Sequence, residues 1–174
     1  MGQSLKANNM IIAGTGSRSL LTEDKDKRSH ILDLTKEALN NIGNPEIMSG
    51  MAEGFDECIA KAAVDLELPL HLVVPNYGYG MYYWGKNSLL KKDRFDTFKA
   101  YLAYASENGS IEYVIEDVHN TSGIYVNGIH SNFLRNSRMV ERADHFLIYN
   151  EKSTGTKDCF NKILKSKKPY QIMV

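Results

Sequence analysis

Neither sign of charge predominates in this chain: lysine plus arginine number 21, and aspartate plus glutamate also number 21. The balance removes the long-range field that would gather a polyanion, so it argues against nucleic acid as a partner. Lys162, Lys165, Lys167 and Lys168 lie close together, but such a run ordinarily forms the solvated face of a helix. Cysteine is scarce as well. Cys58 and Cys159 fall in predicted helices without C-x-x-C or Cys/His spacing, so no structural zinc and no metal of any kind is expected. The five histidines are scattered without ligand spacing and read as structural. No apolar run approaches the roughly 20 residues of a membrane helix, and no charged segment leading into an apolar one opens the chain. A cytoplasmic, reduced protein with no membrane partner is expected.

Two familiar phosphate motifs are missing too. Gly14-Thr15-Gly16 needs a glycine at position 19 to complete G-x-G-x-x-G, and Ser19 stands there; no G-x-x-x-x-G-K-[ST] occurs either. This weakens the NAD-dehydrogenase and P-loop readings, and no cofactor is expected. No internal repeat or low-complexity segment interrupts the chain.

What remains is a globular composition, 43% hydrophobic and 24% charged, at a length that suits one domain over residues 1–174. Short apolar runs alternate with helical periods. Met10 to Ala13 reads as a strand running into Gly14-Thr15-Gly16-Ser17-Arg18. A helix over about 26–42 follows, with Ile31, Leu34, Ala38 and Ile42 on one face. Glu46 to Ser49 is a second strand, and Phe55, Cys58, Ile59, Ala62 and Leu66 mark the next helix by their spacing. Leu70 to Val74 is a third strand, closed by Pro75. An irregular aromatic insertion spans about 76–92, then a helix about 94–107 and a strand Ile111 to Ile115. After a polar loop, Glu116 to Gly123, come a helix about 129–142, a strand His145 to Tyr149, a helix about 155–167 and a strand Tyr170 to Val174. The pattern predicts an α/β, Rossmann-like, doubly wound and mainly parallel sheet of about six strands, with helices on both faces.

Ligands of such sheets sit beyond the carboxyl ends of the strands, and three loops there carry suitable residues. Gly14, Thr15, Gly16, Ser17 and Arg18 offer close backbone approach, hydroxyls and a guanidinium fork. Ser49, Gly50, Met51 and Gly54 precede a helix whose first amides are expected to meet an anion. Ser153, Thr154, Gly155 and Thr156 open the last helix and form another anion nest. Taken singly, each loop reads as a tight turn or helix cap; three on one edge point to a bound phosphate. Arg135 and Arg138 share a helix face that suits a phosphate, or a solvated face. Asp56, Glu141 and Asp158 are the carboxylates near these loops. Asp56 serves either a ligand or the helix dipole, Glu141 pairs with Arg142 on the surface in its bland reading, and Asp144 is a turn residue. Tyr77, Tyr79 and Trp84 offer ring faces to a base, or else build a mini-core or subunit interface.

Gly16-Ser17-Arg18, the run Ser49 to Asp56, the run Arg135 to Asp144 including Asn136, and Ser153-Thr154-Gly155-Thr156 together resemble the SLOG superfamily across nearly the whole chain. The likeness is nearest to its small YpsA- and YspA-type branches, with DprA/Smf and the LOG (lysine decarboxylase-like) nucleotide hydrolases more distant. The resemblance implies a homo-oligomer that binds a nucleotide or a ribosyl derivative. LOG enzymes cleave the N-glycosidic bond of nucleoside 5′-monophosphates with an arginine and a glutamate. Arg135 falls on that arginine, whereas Cys159 occupies the glutamate position and Asp158 lies one residue earlier. Asn150 to Thr154 replaces the proline and paired glycines of that family's phosphate loop. Three functions follow as alternatives: a protein that senses, carries or sequesters a nucleotide-derived molecule; an N-glycosidase; and a DprA-like single-strand DNA binder.

Overall fold

Each apolar run becomes a strand and each amphipathic stretch a helix. The structure, a computed structural model, describes residues 9–116, 125–126 and 129–174. Strand β1 (Ile11–Gly16) leads through a 3₁₀ turn, Arg18–Thr22, to α1 (Lys25–Ile42), which is capped by Asp24 accepting the Lys27 N–H at 2.8 Å. Next come β2 (Glu46–Ser49), α2 (Phe55–Asp65), β3 (Leu70–Asn76), a π-helical segment Gly80–Lys86, α3 (Phe95–Asn108) and β4 (Gly109–Ile115). A short antiparallel pair, β5 (Tyr125–Val126) and β6 (Ile129–His130), precedes α4 (Ser131–Arg142). Strand β7 (His145–Tyr149), α5 (Thr154–Ser166) and β8 (Tyr170–Met173) complete the order.

The departures from expectation have local causes. Gly14, Thr15 and Gly16 belong to β1 rather than to a loop, because neighbouring strands hold them: Gly14 is level with Ser49 on one side and Leu147 on the other, and Thr15 and Gly16 with Ile148 and Tyr149. Pro75 does not close β3. The last β3 residue paired with β2 is Leu72, so beyond it a missing N–H on the β2 side breaks no ladder. The irregular insertion contains a helical segment whose longer period escapes a search for 3.6. Helix α4 starts at Ser131 rather than 129, with His130 Nδ1 accepting the Asn132 N–H at 3.0 Å. The polar loop expected from Glu116 to Gly123 lies, past Glu116, outside the described residues, as does His119.

The strands form one six-stranded sheet in the order β4-β3-β2-β1-β7-β8, parallel throughout. Alternate side chains serve two cores. On one face Ile12, Ile47, Leu72 and Leu147 pack with Ile31 and Leu39 of α1, Phe55 and Ile59 of α2, and Phe98 of α3. On the other, Ala13, Met48, Val73 and Phe146 pack with Met139 and Val140 of α4 and Ile163 of α5. The order reverses between β1 and β7, and a ligand crevice belongs at the carboxyl end of that junction. Among the described residues, no helix is long and apolar enough to cross a membrane, and no group of three or more His, Cys, Asp or Glu is placed to hold a metal.

Candidate functional site

A cavity of about 290 Å³ opens at that junction, at the small end of the range for small-molecule sites. The end of β1 supplies Thr15, Gly16, Ser17 and Arg18 to its wall, and the turn into α2 supplies Ala52 and Asp56. Tyr79 and Tyr83 enter from the segment after β3, and Asn132, Phe133, Arg135 and Asn136 from the first turns of α4. Ser153 and Gly155 close it from the start of α5. The Ser17 N–H donates to the Tyr149 carbonyl at 3.0 Å, which fixes the first loop against the strand that leads to α5.

Arg135 lies in the wall with 8% of its surface exposed. Its Nη1 donates to the Gly50 carbonyl at 3.2 Å and the Tyr79 hydroxyl at 3.3 Å, and its Nε to Asn136 Oδ1 at 3.2 Å. Gly50 makes this approach possible, since a Cβ there would stand 2.7 Å from Arg135 Cδ. No described hydrogen bond uses Nη2. Burial opposes the guanidinium charge, yet Tyr79 and Asp56 hold its pKa above the ordinary arginine value, so the cation persists in the wall.

Asp56 sits in the first turn of α2, 5% exposed. Its Oδ2 accepts the Ala52 N–H at 3.2 Å. Burial raises its pKa to about 6, against the opposing pull of Arg135 and the amides of Ala52 and Gly16. Burial also pushes the Tyr79 phenol up to about 12. A neutral phenol and a carboxyl that changes charge just below neutrality thus flank one fixed cation.

At the α5 end, Ser153 Oγ lies 2.7 Å from Thr156 Oγ1, and no described hydrogen bond uses the N–H groups of Thr154 or Gly155. They are the free donors of a helix N-terminus, where the dipole favours an anion. Arg18 borders the same space, 40% exposed in its side chain and only 3.3 Å from Glu53 Oε1. With its head half in solvent, Arg18 is the weaker of the two cations on Glu53, Arg94 lying at 2.6 Å.

Several expected residues take other places. Gly14 is buried against Ile59. Ser49 Oγ donates to the Asp56 carbonyl at 2.8 Å and accepts the Met51 N–H at 3.1 Å, and Asp56 takes the Ala52 N–H. The second loop therefore spends these amides on itself rather than on an anion. Met51 is buried at φ +60°, and Gly54 holds φ +94° with the space of a Cβ filled 2.5 Å away by the Ser17 carbonyl. Of the last loop, Thr156 is buried. Arg138 does not face the cavity: it binds Glu112 at 3.1 Å on the flank of the sheet, because its place in α4 turns it toward β4. Glu141 is exposed, away from the cavity. Asp158 is held by Lys162 Nζ at 2.6 Å and Asn136 Nδ2 at 3.1 Å, and Cys159 is buried in the second core. Tyr77 stacks on Tyr113 at 4.2 Å. Trp84 offers no face to a base: it is fully buried, with its Nε1–H on the Met51 carbonyl at 2.8 Å. Sequence reasoning missed Tyr83, Asn132 and Phe133. The signals were there, since Tyr83 belongs to the insertion and Asn132-Phe133 open a helix on the ligand edge.

No protein-family model matches the chain, and no curated protein matches it. Solved structures do. DNA processing protein A of Helicobacter pylori, described for its single-stranded DNA binding mode, superposes with a TM-score of 0.62 at 18% identity, over 94% of this chain and 64% of that one. The DprA of Streptococcus pneumoniae gives 0.58 at 15% identity, over 94% and 50%. The protein TM1055 gives 0.56 at 10% identity, over 92% and 72%. The chain thus spans half to two thirds of the DNA processing proteins it matches. The Rossmann-like fold is what this chain shares with them.

Proposed function

We propose that the cleft binds a nucleotide or a nucleotide-derived ribosyl phosphate, and that the protein senses, carries or sequesters that molecule. The observation that carries this reading is Arg135, a buried cation in the wall of a cavity whose rim also holds the uncommitted amides at the start of α5. A guanidinium kept charged in a desolvated wall is suited to one anion in one place. Denaturing the purified protein and weighing what it releases tests the idea, together with calorimetric titration of nucleoside monophosphates and ribose 5-phosphate. A phosphate ester is expected in the released fraction or among the binders. Arg135→Ala should weaken its binding about 100-fold. Arg18→Ala, at a half-exposed position, should weaken it about fivefold and leave the melting temperature unchanged. If nothing in the panel binds below millimolar concentration, the reading fails.

One observation favours a second reading, N-glycosidic hydrolysis. Among the carboxylates the sequence offered, Asp56 alone lines the cavity, and its pKa near 6 suits a group that takes a proton from water as the bond to the base breaks. Chromatography of nucleoside monophosphates incubated with the protein tests it. Free base that disappears with Asp56→Asn supports turnover; intact nucleotide at enzyme-stoichiometric concentration supports binding alone.

A further inference from the structure

Asn132 carries a buried oxygen that lacks a partner. Its Oδ1 accepts no hydrogen bond from the described residues, although the side chain lies in the cavity wall at the first turn of α4. Buried acceptors are nearly always satisfied, so an orphan oxygen on a residue of the cavity wall marks where a ligand supplies a donor. A phosphate dianion has only oxygen acceptors to bring, and cannot meet this atom. The next residue, Phe133, is 46% exposed although it lines the same cavity. Tyr83 lines it from the segment after β3, braced against Tyr79 and Tyr82 with ring centroids 4.8 and 4.9 Å away. An ammonium, Lys162 Nζ, lies 5.6 Å from the Phe133 ring, so that ring is also flanked by a charged group.

We infer that Asn132, Phe133 and Tyr83 form a base subsite: the two rings offer stacking faces, and the Asn132 oxygen accepts an N–H from the edge of a purine or pyrimidine. The inference rests on the nucleotide reading of the cleft and narrows it to ligands that carry a heterocycle. A ribosyl phosphate alone has hydroxyls for Oδ1 but no π-face for the rings, whereas a nucleobase satisfies all three. The site thereby divides, with Arg135 and the start of α5 for the phosphate and α4's first turn for the base. The cavity volume suits a mononucleotide.

Calorimetric titration with AMP, GMP, CMP, UMP and ribose 5-phosphate tests the subsite. At least one nucleotide is expected to bind tenfold or more tightly than ribose 5-phosphate. Phe133→Ala and Tyr83→Ala should each weaken that nucleotide about tenfold and leave ribose 5-phosphate where it was. Asn132→Leu should lower the preference between bases while the melting temperature holds. Ribose 5-phosphate binding as tightly as every nucleotide, or Phe133→Ala weakening both kinds of ligand equally, overturns the base subsite and leaves the phosphate reading standing. If all five ligands fail to bind, both fall.

Discussion

At Asp56, burial and charge pull in opposite directions. The unfolded chain ionises this carboxyl near its ordinary value of 3.8, whereas the folded protein delays ionisation to about pH 6. A raised pKa of this kind supports the fold fully below pH 3.8, and that support is lost as pH rises through 6. Asp56→Asn removes the charge and keeps an oxygen for the Ala52 N–H. The variant should therefore be about 3 kcal/mol more stable than the parent at pH 8 and equal to it at pH 3.5, as read by urea denaturation at both values. A difference independent of pH would mean that Asp56 is not ionised in a buried setting. Residues like this one were legible only in part. Asp56 stood out by its place after β2, and Arg135 through the family resemblance. Whether Arg138 or Arg135 faced the cleft was decided by the rotation of α4, which three-residue spacing leaves open.

Among the elements, the insertion after β3 is the one that the sequence pattern described least. It has no 3.6-residue period, because its turn is π-helical, and its aromatic content fitted a base platform, a mini-core or an interface equally well. The structure resolves this segment into a strap. Glu53, from the turn before α2, has a fully buried side chain that accepts from Ser88 Oγ at 2.6 Å, the Leu89 N–H at 2.9 Å and Arg94 Nη1 at 2.6 Å. Arg94 also pairs with Glu57 and lies over the Trp84 ring at 4.8 Å. These partners outweigh burial and hold the Glu53 pKa below the usual carboxylate range. Tyr79 and Tyr83 are thus carried on a segment tied at its far end to the loop beneath it. Arg94→Leu would leave buried Glu53 with only the longer Arg18 contact for a cation and should cost about 3 kcal/mol, measurable by denaturant titration. A loss below 1 kcal/mol would show that the strap is held by apolar packing alone.

For the whole molecule, the succession of strands and helices was legible because each element carries its own period. The strand order was not. It depends on which face each crossover takes, and no local pattern records that choice, so the reversal between β1 and β7 emerges only in three dimensions. Charge is a property of the same scale. The formal net charge is zero, and phosphate-backbone binding draws its strength from released counterions. A fluorescent single-stranded oligonucleotide should show no change in anisotropy at about 150 mM salt. A salt-sensitive rise would move this protein toward the behaviour described for the Helicobacter pylori neighbour.

Because the cleft draws its wall from β1, the α2 turn, the strap, α4 and α5, no single element contains it. A nascent polypeptide with α5 still inside the ribosome lacks the Ser153 and Gly155 side of the pocket, so the cleft is not yet closed around a small molecule. A ligand of the proposed kind would consequently play no part in guiding early folding and would act as a late lock, adding stability with the logarithm of its free concentration once α5 has docked.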